Sequence, residues 1–172
     1  MQEDAVIPKP IKAALERAQR SADIMPVAQL TKMLDNELGQ GWEEKFTYFD
    51  KNPMAAASIG QVHFATTKKG MDVAVKIQYP GVAESIDSDL NNIKRLMKYT
   101  NIFPKQMFMD EIIKNARTEL KEECDYTKEA QKQLRFREII KNMPHYYTPD
   151  IDLELSTSRI LTIEYIKGVI NQ

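Results

Sequence analysis

The sequence predicts an α+β fold: one antiparallel sheet of about five strands with helices packed against it. Three observations carry this. Apolar residues recur at helical spacing up to Leu38 and again from Ile86 to Lys141, the stretch from Phe46 to Gln78 switches to β-branched and aromatic strand patterns, and a second extended stretch follows Pro144. The order is therefore helices, three strands, helices, two strands.

From Pro10 to Leu38, Ile11, Ala14, Leu15 and Ala18 share one helical face. Pro26 then stands where a helix can start, Val27, Leu30, Leu34 and Leu38 follow at spacings of three and four, and Gly39 and Gly41 end the segment. "FTYF", "SIGQVHFATT" and "DVAVKIQ" are rich in β-branched and aromatic residues and predict three strands. "KKG", Lys68 to Gly70, supplies a hairpin turn between the second and third, and Pro80-Gly81 stops the third. Ile86, Leu90, Ile93 and Met97 restart a helix, and a longer helical segment runs from about Phe108 to Lys141 with a break near "CDY". "YYTPDIDLEL" and "RILTIEYI" predict the last two strands, parted by "STS". On this reading residues 1–45 form an N-terminal helical extension and residues 46–172 a lobe built on the sheet.

At 172 residues the chain suffices for one domain with a real core or one lobe of something larger. Lys and Arg number 24 against 25 Asp and Glu, so no global field draws the chain to nucleic acid, and nucleic acid is not an expected partner. One cysteine, Cys124, excludes an intrachain disulfide framework and a Cys-rich zinc site. His63 and His145 stand far apart with no paired cysteine, so no metal site is expected among them. Cys124 lacks a neighbouring histidine to activate it and is read as a packed thiol. The nine methionines read as core filler, Trp42 and Phe46 as the contact of the first helices with the sheet, and "KQLRFREIIKN" as a solvated helix face. No run approaches the roughly 18 apolar residues of a membrane span. "MQEDAVIPKP" is acidic and matches neither a signal nor a transit peptide.

In "DVAVKIQ" strand alternation places Val73, Val75 and Ile77 on one face and Ala74, Lys76 and Gln78 on the other. An isolated strand lysine ordinarily points to solvent. At about 100° per residue, however, Phe108, Ile112, Ala116, Glu119 and Glu123 fall within an arc of roughly 80°, which puts two carboxylates on an apolar stripe. Buried carboxylates need partners, because an unpaired buried charge is costly, and a lysine from the sheet is one solution. A strand lysine paired to a helix glutamate is also how kinase-like folds hold ATP phosphates, and "VAVK" resembles the family form V-A-I-K. "LTIEYIKG" resembles the strand and hinge that join kinase lobes, with Ile163 as gatekeeper and the backbone of Glu164, Tyr165 and Ile166 meeting adenine.

"PMAAASIGQVH", "VAVKIQYPGV", "SIDSDLNNI", "ELKEECDY" and "RAQRSADIMP" together resemble the UbiB-like atypical kinases, the ADCK group that supports coenzyme Q biosynthesis, over essentially the whole chain and most closely its mitochondrial members. The resemblance implies a protein-kinase-like N-terminal lobe that binds ATP or ADP with Mg2+. It implies that Ala55, Ala56, Ala57 and Ser58 replace the kinase glycine loop, that Lys76 contacts phosphate, that Glu119 is its helix partner, and that Glu123 and Asp125 form the E-x-D motif. That motif is thought to fill the space of a protein substrate, which places ATPase or small-molecule phosphotransfer chemistry beside protein phosphorylation. Methyl groups restrict the close backbone approach that glycines allow, so nucleotide is expected in an altered pose; an ordinary protein kinase would carry the glycines. The resemblance further implies a mitochondrial setting, with coenzyme Q biosynthesis proteins and membrane lipid as partners. Two expected features are missing from the sequence. Nothing like the family's K-x-G-Q motif lies upstream of Met25, and the catalytic and metal-binding aspartates belong after the hinge, past Gln172. The expectation is a fragment inactive by itself; the alternative is a non-catalytic scaffold module derived from the lobe.

Overall fold

The computed structural model of the protein describes residues 24–100 and 106–167. Ile11, Ala14, Leu15, Ala18 and the side chains of Met97 and Phe108 lie outside what is described. Helix α1 spans Val27–Leu38. The Pro26 carbonyl accepts from the backbone N–H groups of Gln29 and Leu30, and Gly39, at φ +90°, ends the helix in a conformation that disfavours other residues. Leu30, Met33, Leu34 and Leu38 are buried, while Val27 in the first turn is exposed.

A single 3-10 turn, Trp42–Lys45, leads into β1 (Phe46–Phe49), followed by β2 (Ala55–Ala57), β3 (Gly60–Thr67) and β4 (Asp72–Gln78). Helices α2 (Val82–Thr100), α3 (Gln106–Glu123) and α4 (Tyr126–Ile140) come next, then β5 (Ile160–Glu164). The sheet has five strands, all pairings antiparallel, in the order β1-β3-β4-β5 with β2 also on β3. Val62 sits opposite Lys76 on β3, and Lys76 opposite Leu161 on β5.

One expected strand is absent and an unexpected one completes the sheet. Residues 146–155 do not form a strand: Ile151 makes one bridge to Ile163, and a 3-10 turn, Leu153–Leu155, follows. The turn is set by Asp152, whose carboxylate accepts from the N–H groups of Glu154 and Leu155 and curls the chain after the bridge. The fifth strand is instead the alanine triplet, paired Ala55 to Val62, Ala56 to Gln61 and Ala57 to Gly60. Alanine carries little strand propensity, so the pairing is set by the neighbouring strand and not by the triplet. The long helical segment divides at Cys124 and Asp125 into α3 and α4.

Val73, Val75 and Ile77 are fully buried and form one core cluster with Leu30, Met33, Leu34, Trp42 and Phe46. Trp42, Phe46 and Phe49 meet edge to face at 5.0 to 6.2 Å between centroids. Residues 24–45 and the sheet therefore share one core. On the opposite face Val62, Phe64, Ala74, Lys76 and Ile163 are half-buried, and α4 covers part of it where Tyr126 and Ala130 pack on Leu161. Helices α2 and α3 form a second cluster from Ile86, Leu90 and Ile113.

His63 belongs to a buried polar chain. The Met25 N–H donates to Gln61 Oε1 at 2.8 Å, Gln61 Nε2 lies 2.8 Å from His63 Nε2, and His63 Nδ1 lies 2.8 Å from the Asp50 carbonyl. A carbonyl can only accept, so Nδ1 carries the proton and Nε2 accepts from the Gln61 amide. Burial holds the His63 pKa below its ordinary 6.5, against the opposing pull of Asp50. Protonation would set two donors face to face. The stability contribution is therefore full above about pH 6.5 and lost as pH falls toward the lowered native value, because the unfolded chain binds the proton more readily. The apparent Tm will fall from about pH 7.5 to about pH 5.5, and His63→Gln will remove part of that slope. An identical pH slope in wild type and variant would refute the assignment.

Candidate functional site

Lys76 lies mid-strand on the half-buried face of the sheet, its side chain 25% exposed. Its Nζ donates to both carboxylate oxygens of Glu129, at 3.0 and 2.8 Å, and stands 4.5 Å from the centroid of the Tyr126 ring. Both partners come from the first turns of α4. Asp125 starts that helix, its carboxylate accepting from the Thr127 N–H at 3.1 Å and the Thr127 hydroxyl at 2.6 Å. The start is pinned to the sheet: Gln78 Nε2 donates to the Cys124 carbonyl at 3.0 Å, and the Tyr126 N–H donates to the Ser158 carbonyl at 2.8 Å. With Tyr126 and Ala130 buried one turn apart, Glu129 is turned to the Lys76 side of α4.

This corrects the expected pairing. The partner of Lys76 in the structure is Glu129 and not Glu119, and Glu119 and Glu123 are exposed. The buried ridge of α3 is phased one residue along, through Ile113 and half-buried Ala116, and Ile112 is 55% exposed. Packing on Ile86 and Leu90 of α2 sets that phase. The break after Glu123 then stops it from carrying into α4. Glu129 and Tyr126 are the residues that the sequence reading missed. A signal for them exists in Asp125-Tyr126-Thr127, a helix-start pattern that resets the periodicity so that Tyr126 and Ala130 define the new buried face.

A cavity of about 470 Å3 opens between the β2–β3 hairpin, β4 and the α3–α4 joint. It gathers Ser58, Lys76, Glu119 and Glu123 from the expected set, together with Tyr126 and Glu129. Asp125 serves as the helix cap and does not line it. Ala55 to Ala57 pair with β3 and deliver Ser58 to the rim. Four glutamates and two lysines, Lys76 and Lys132, line the cavity. Burial, reinforced by the charge of Glu129, pushes the Tyr126 phenol well above its ordinary range and keeps it neutral. Burial likewise raises the Cys124 thiol, which stays protonated.

The expected hinge residues lie at the end of β5. The Glu164 N–H donates to the Asp150 carbonyl at 2.7 Å and the Tyr165 N–H to the Asp72 carbonyl at 2.9 Å. Glu164 Oε2 also accepts from the Asp150 N–H at 3.1 Å and from the Tyr147 hydroxyl. These two backbone donors are thus committed to the fold, and Ile166 beyond them is exposed.

The profile of the ABC1 atypical kinase-like domain matches residues 17–171. Over 168 residues the chain is 46% identical to the mitochondrial atypical kinase coq-8 of Caenorhabditis elegans, covering 98% of this chain and 22% of that protein. Over 167 residues it is 48% identical to the mitochondrial atypical kinase COQ8 of Saccharomyces cerevisiae, covering 97% of this chain and 33% of that one. Among solved structures it resembles Rv3197 of Mycobacterium tuberculosis, seen in complex with erythromycin, with a TM-score of 0.68 and 34% identity over 96% of this chain and 42% of that one. The chain spans a third or less of the two curated relatives. With a five-stranded sheet, a strand lysine held by a helix glutamate, and a match along nearly its whole length, the chain belongs to the ABC1 atypical kinase-like family.

Proposed function

We propose that this chain is the ATP-binding lobe of an atypical kinase or ATPase that supports coenzyme Q biosynthesis in mitochondria. The observation that carries the reading is the Lys76 ammonium, fixed by two hydrogen bonds to Glu129 and lining a cavity large enough for a polyphosphate. Phosphoryl transfer depends on positioning and on neutralising charge, and a held lysine supplies both. The pathway and compartment rest on the names of the coq-8 and COQ8 relatives; proteins of that pathway and membrane lipid are the partners this implies.

In this reading Lys76 contacts the phosphates, Glu129 orients it, and Ser58 adds a hydroxyl at the rim below Ala55, Ala56 and Ala57. Glu119 and Glu123 make the far wall acidic. Adenine lies along Val62, Ala74 and Ile163, against the Glu164 carbonyl and the backbone of Ile166. The acidic lining repels a bare polyphosphate, which favours a nucleotide carrying Mg2+. Among the described residues no three His, Cys, Asp or Glu side chains converge to hold a metal, so in this reading Mg2+ arrives with the nucleotide and its protein ligands lie elsewhere. The ion would supply charge neutralisation at the phosphates; the residues of this chain bind and orient. In this reading residues 46–172 make up the lobe up to its hinge and residues 1–45 its N-terminal extension, of which the described part, residues 24–45, shares the core of the sheet.

Titration of the full-length product that carries this chain with Mg-ADP tests the reading. At a hundred times Kd the ligand raises unfolding stability by about 2.7 kcal/mol, visible as a concentration-dependent Tm. No shift at any Mg-ADP or Mg-ATP concentration would refute nucleotide binding and leave the scaffold module as the surviving alternative.

A further inference from the structure

Tyr126 is 1% exposed, yet its ring face lies 4.5 Å from the Lys76 ammonium, and both residues line the cavity. Its hydroxyl is buried with no hydrogen-bond partner among the described residues. The contact between Tyr126 and Lys76 runs through the ring face. We infer that Tyr126 is a positioning residue for Lys76, whose ring face holds the ammonium at the cavity wall while its hydroxyl takes no part. The inference rests on the nucleotide reading of the cavity and adds a residue to it.

The physical case has two parts. Placement of the ring is over-determined: the Gln78 bond to the Cys124 carbonyl, the Asp125 cap and the Tyr126 N–H bond to the Ser158 carbonyl all fix the first residue of α4, and Leu161 and Ala130 pack beside the ring. The second part is electrostatic. A lysine has a long stem with many rotamers, and holding its head by carboxylates alone would cancel the charge that an anion needs. Glu129 already contributes one negative charge. An aromatic face attracts the ammonium through its quadrupole without adding net charge, so the head is held and still draws phosphate.

Selective 13C labelling of lysine in the full-length product reads the ring directly. The Lys76 ε-methylene signal, identified by its loss in Lys76→Arg, is expected upfield of exposed lysines through the ring current. Tyr126→Phe will keep that shift and leave Mg-ADP affinity within about twofold. Tyr126→Leu will move the signal to the exposed-lysine position and weaken Mg-ADP by about tenfold. Tyr126→Met serves as the second ring-free variant if the leucine variant does not fold. An unshifted Lys76 signal beside intact Mg-ADP binding, or a Tyr126→Phe loss equal to that of Tyr126→Leu, overturns the role of the ring alone. A shifted signal with no Mg-ADP binding in the wild type overturns the nucleotide reading and the positioning role with it.

Discussion

Gly60→Ala is expected to lower unfolding stability by about 3 kcal/mol, and Tm by roughly 6–12 °C for a domain of this size. A Cβ at Gly60 would stand 2.2 Å from the Ile77 carbonyl oxygen, 2.9 Å from its carbon and 3.0 Å from Gln78 Cα. All three are backbone atoms, so no side chain can swing away. Relief requires β3 to part from β4 where Gly60 pairs with Gln78, two residues from Lys76. The variant should therefore also weaken Mg-nucleotide binding. Gly41→Ala is the informative comparison: its φ is +80° and nothing lies within 4 Å of the added carbon. Its cost is conformational only, about 1 kcal/mol. Denaturant unfolding of the three proteins decides the matter, and a Gly60→Ala curve within about 0.5 kcal/mol of wild type contradicts the close approach.

Lys76→Ala is expected to weaken Mg-ADP binding about 30-fold, the loss of charge-assisted hydrogen bonds to phosphate. Glu129→Gln should cost about tenfold, because the amide removes the charge that holds the ammonium while keeping the shape. Glu119→Gln should stay within about threefold, since that carboxylate lines the cavity wall without touching Lys76. Calorimetric titration of the three variants separates the two glutamates. A larger effect at Glu119 than at Glu129 would return the pairing to the one that helix periodicity suggested, and would mean that α4 moves away when nucleotide binds.

Most of the sheet is legible because strand alternation is a local signal. Val73, Val75 and Ile77 fall on the core face, and Ala74 and Lys76 on the other, as period two requires. Gln78 continues that second face in sequence but turns its amide to the Cys124 carbonyl, a partner 46 residues away that no local pattern reveals. The alanine triplet looked like a loop for the same reason: its strand is imposed by β3. Residues 146–155 carry strand-like residues, yet the Asp152 turn overrides them. At the cavity, alternation points to Lys76 and the family resemblance to Ser58, whereas Glu129 lies past the break near "CDY", beyond the helix face projected from Phe108 to Glu123. A helix face can be projected from sequence only within one continuous helix, and the Asp125 cap divides this one.

The Gln78 and Tyr126 backbone anchors also bear on how the site could be switched. In a lobe where the glutamate helix is tethered only by side-chain packing, rotating that helix outward is an inexpensive off-state. Here the Cys124 carbonyl just before α4 is fastened to β4 and the first residue of α4 to the Ser158 loop, and β4 carries the lysine itself. Withdrawing Glu129 by rigid rotation would break both anchors together. The ion pair thus stands as part of the scaffold, held by the same contacts that join α4 to the sheet.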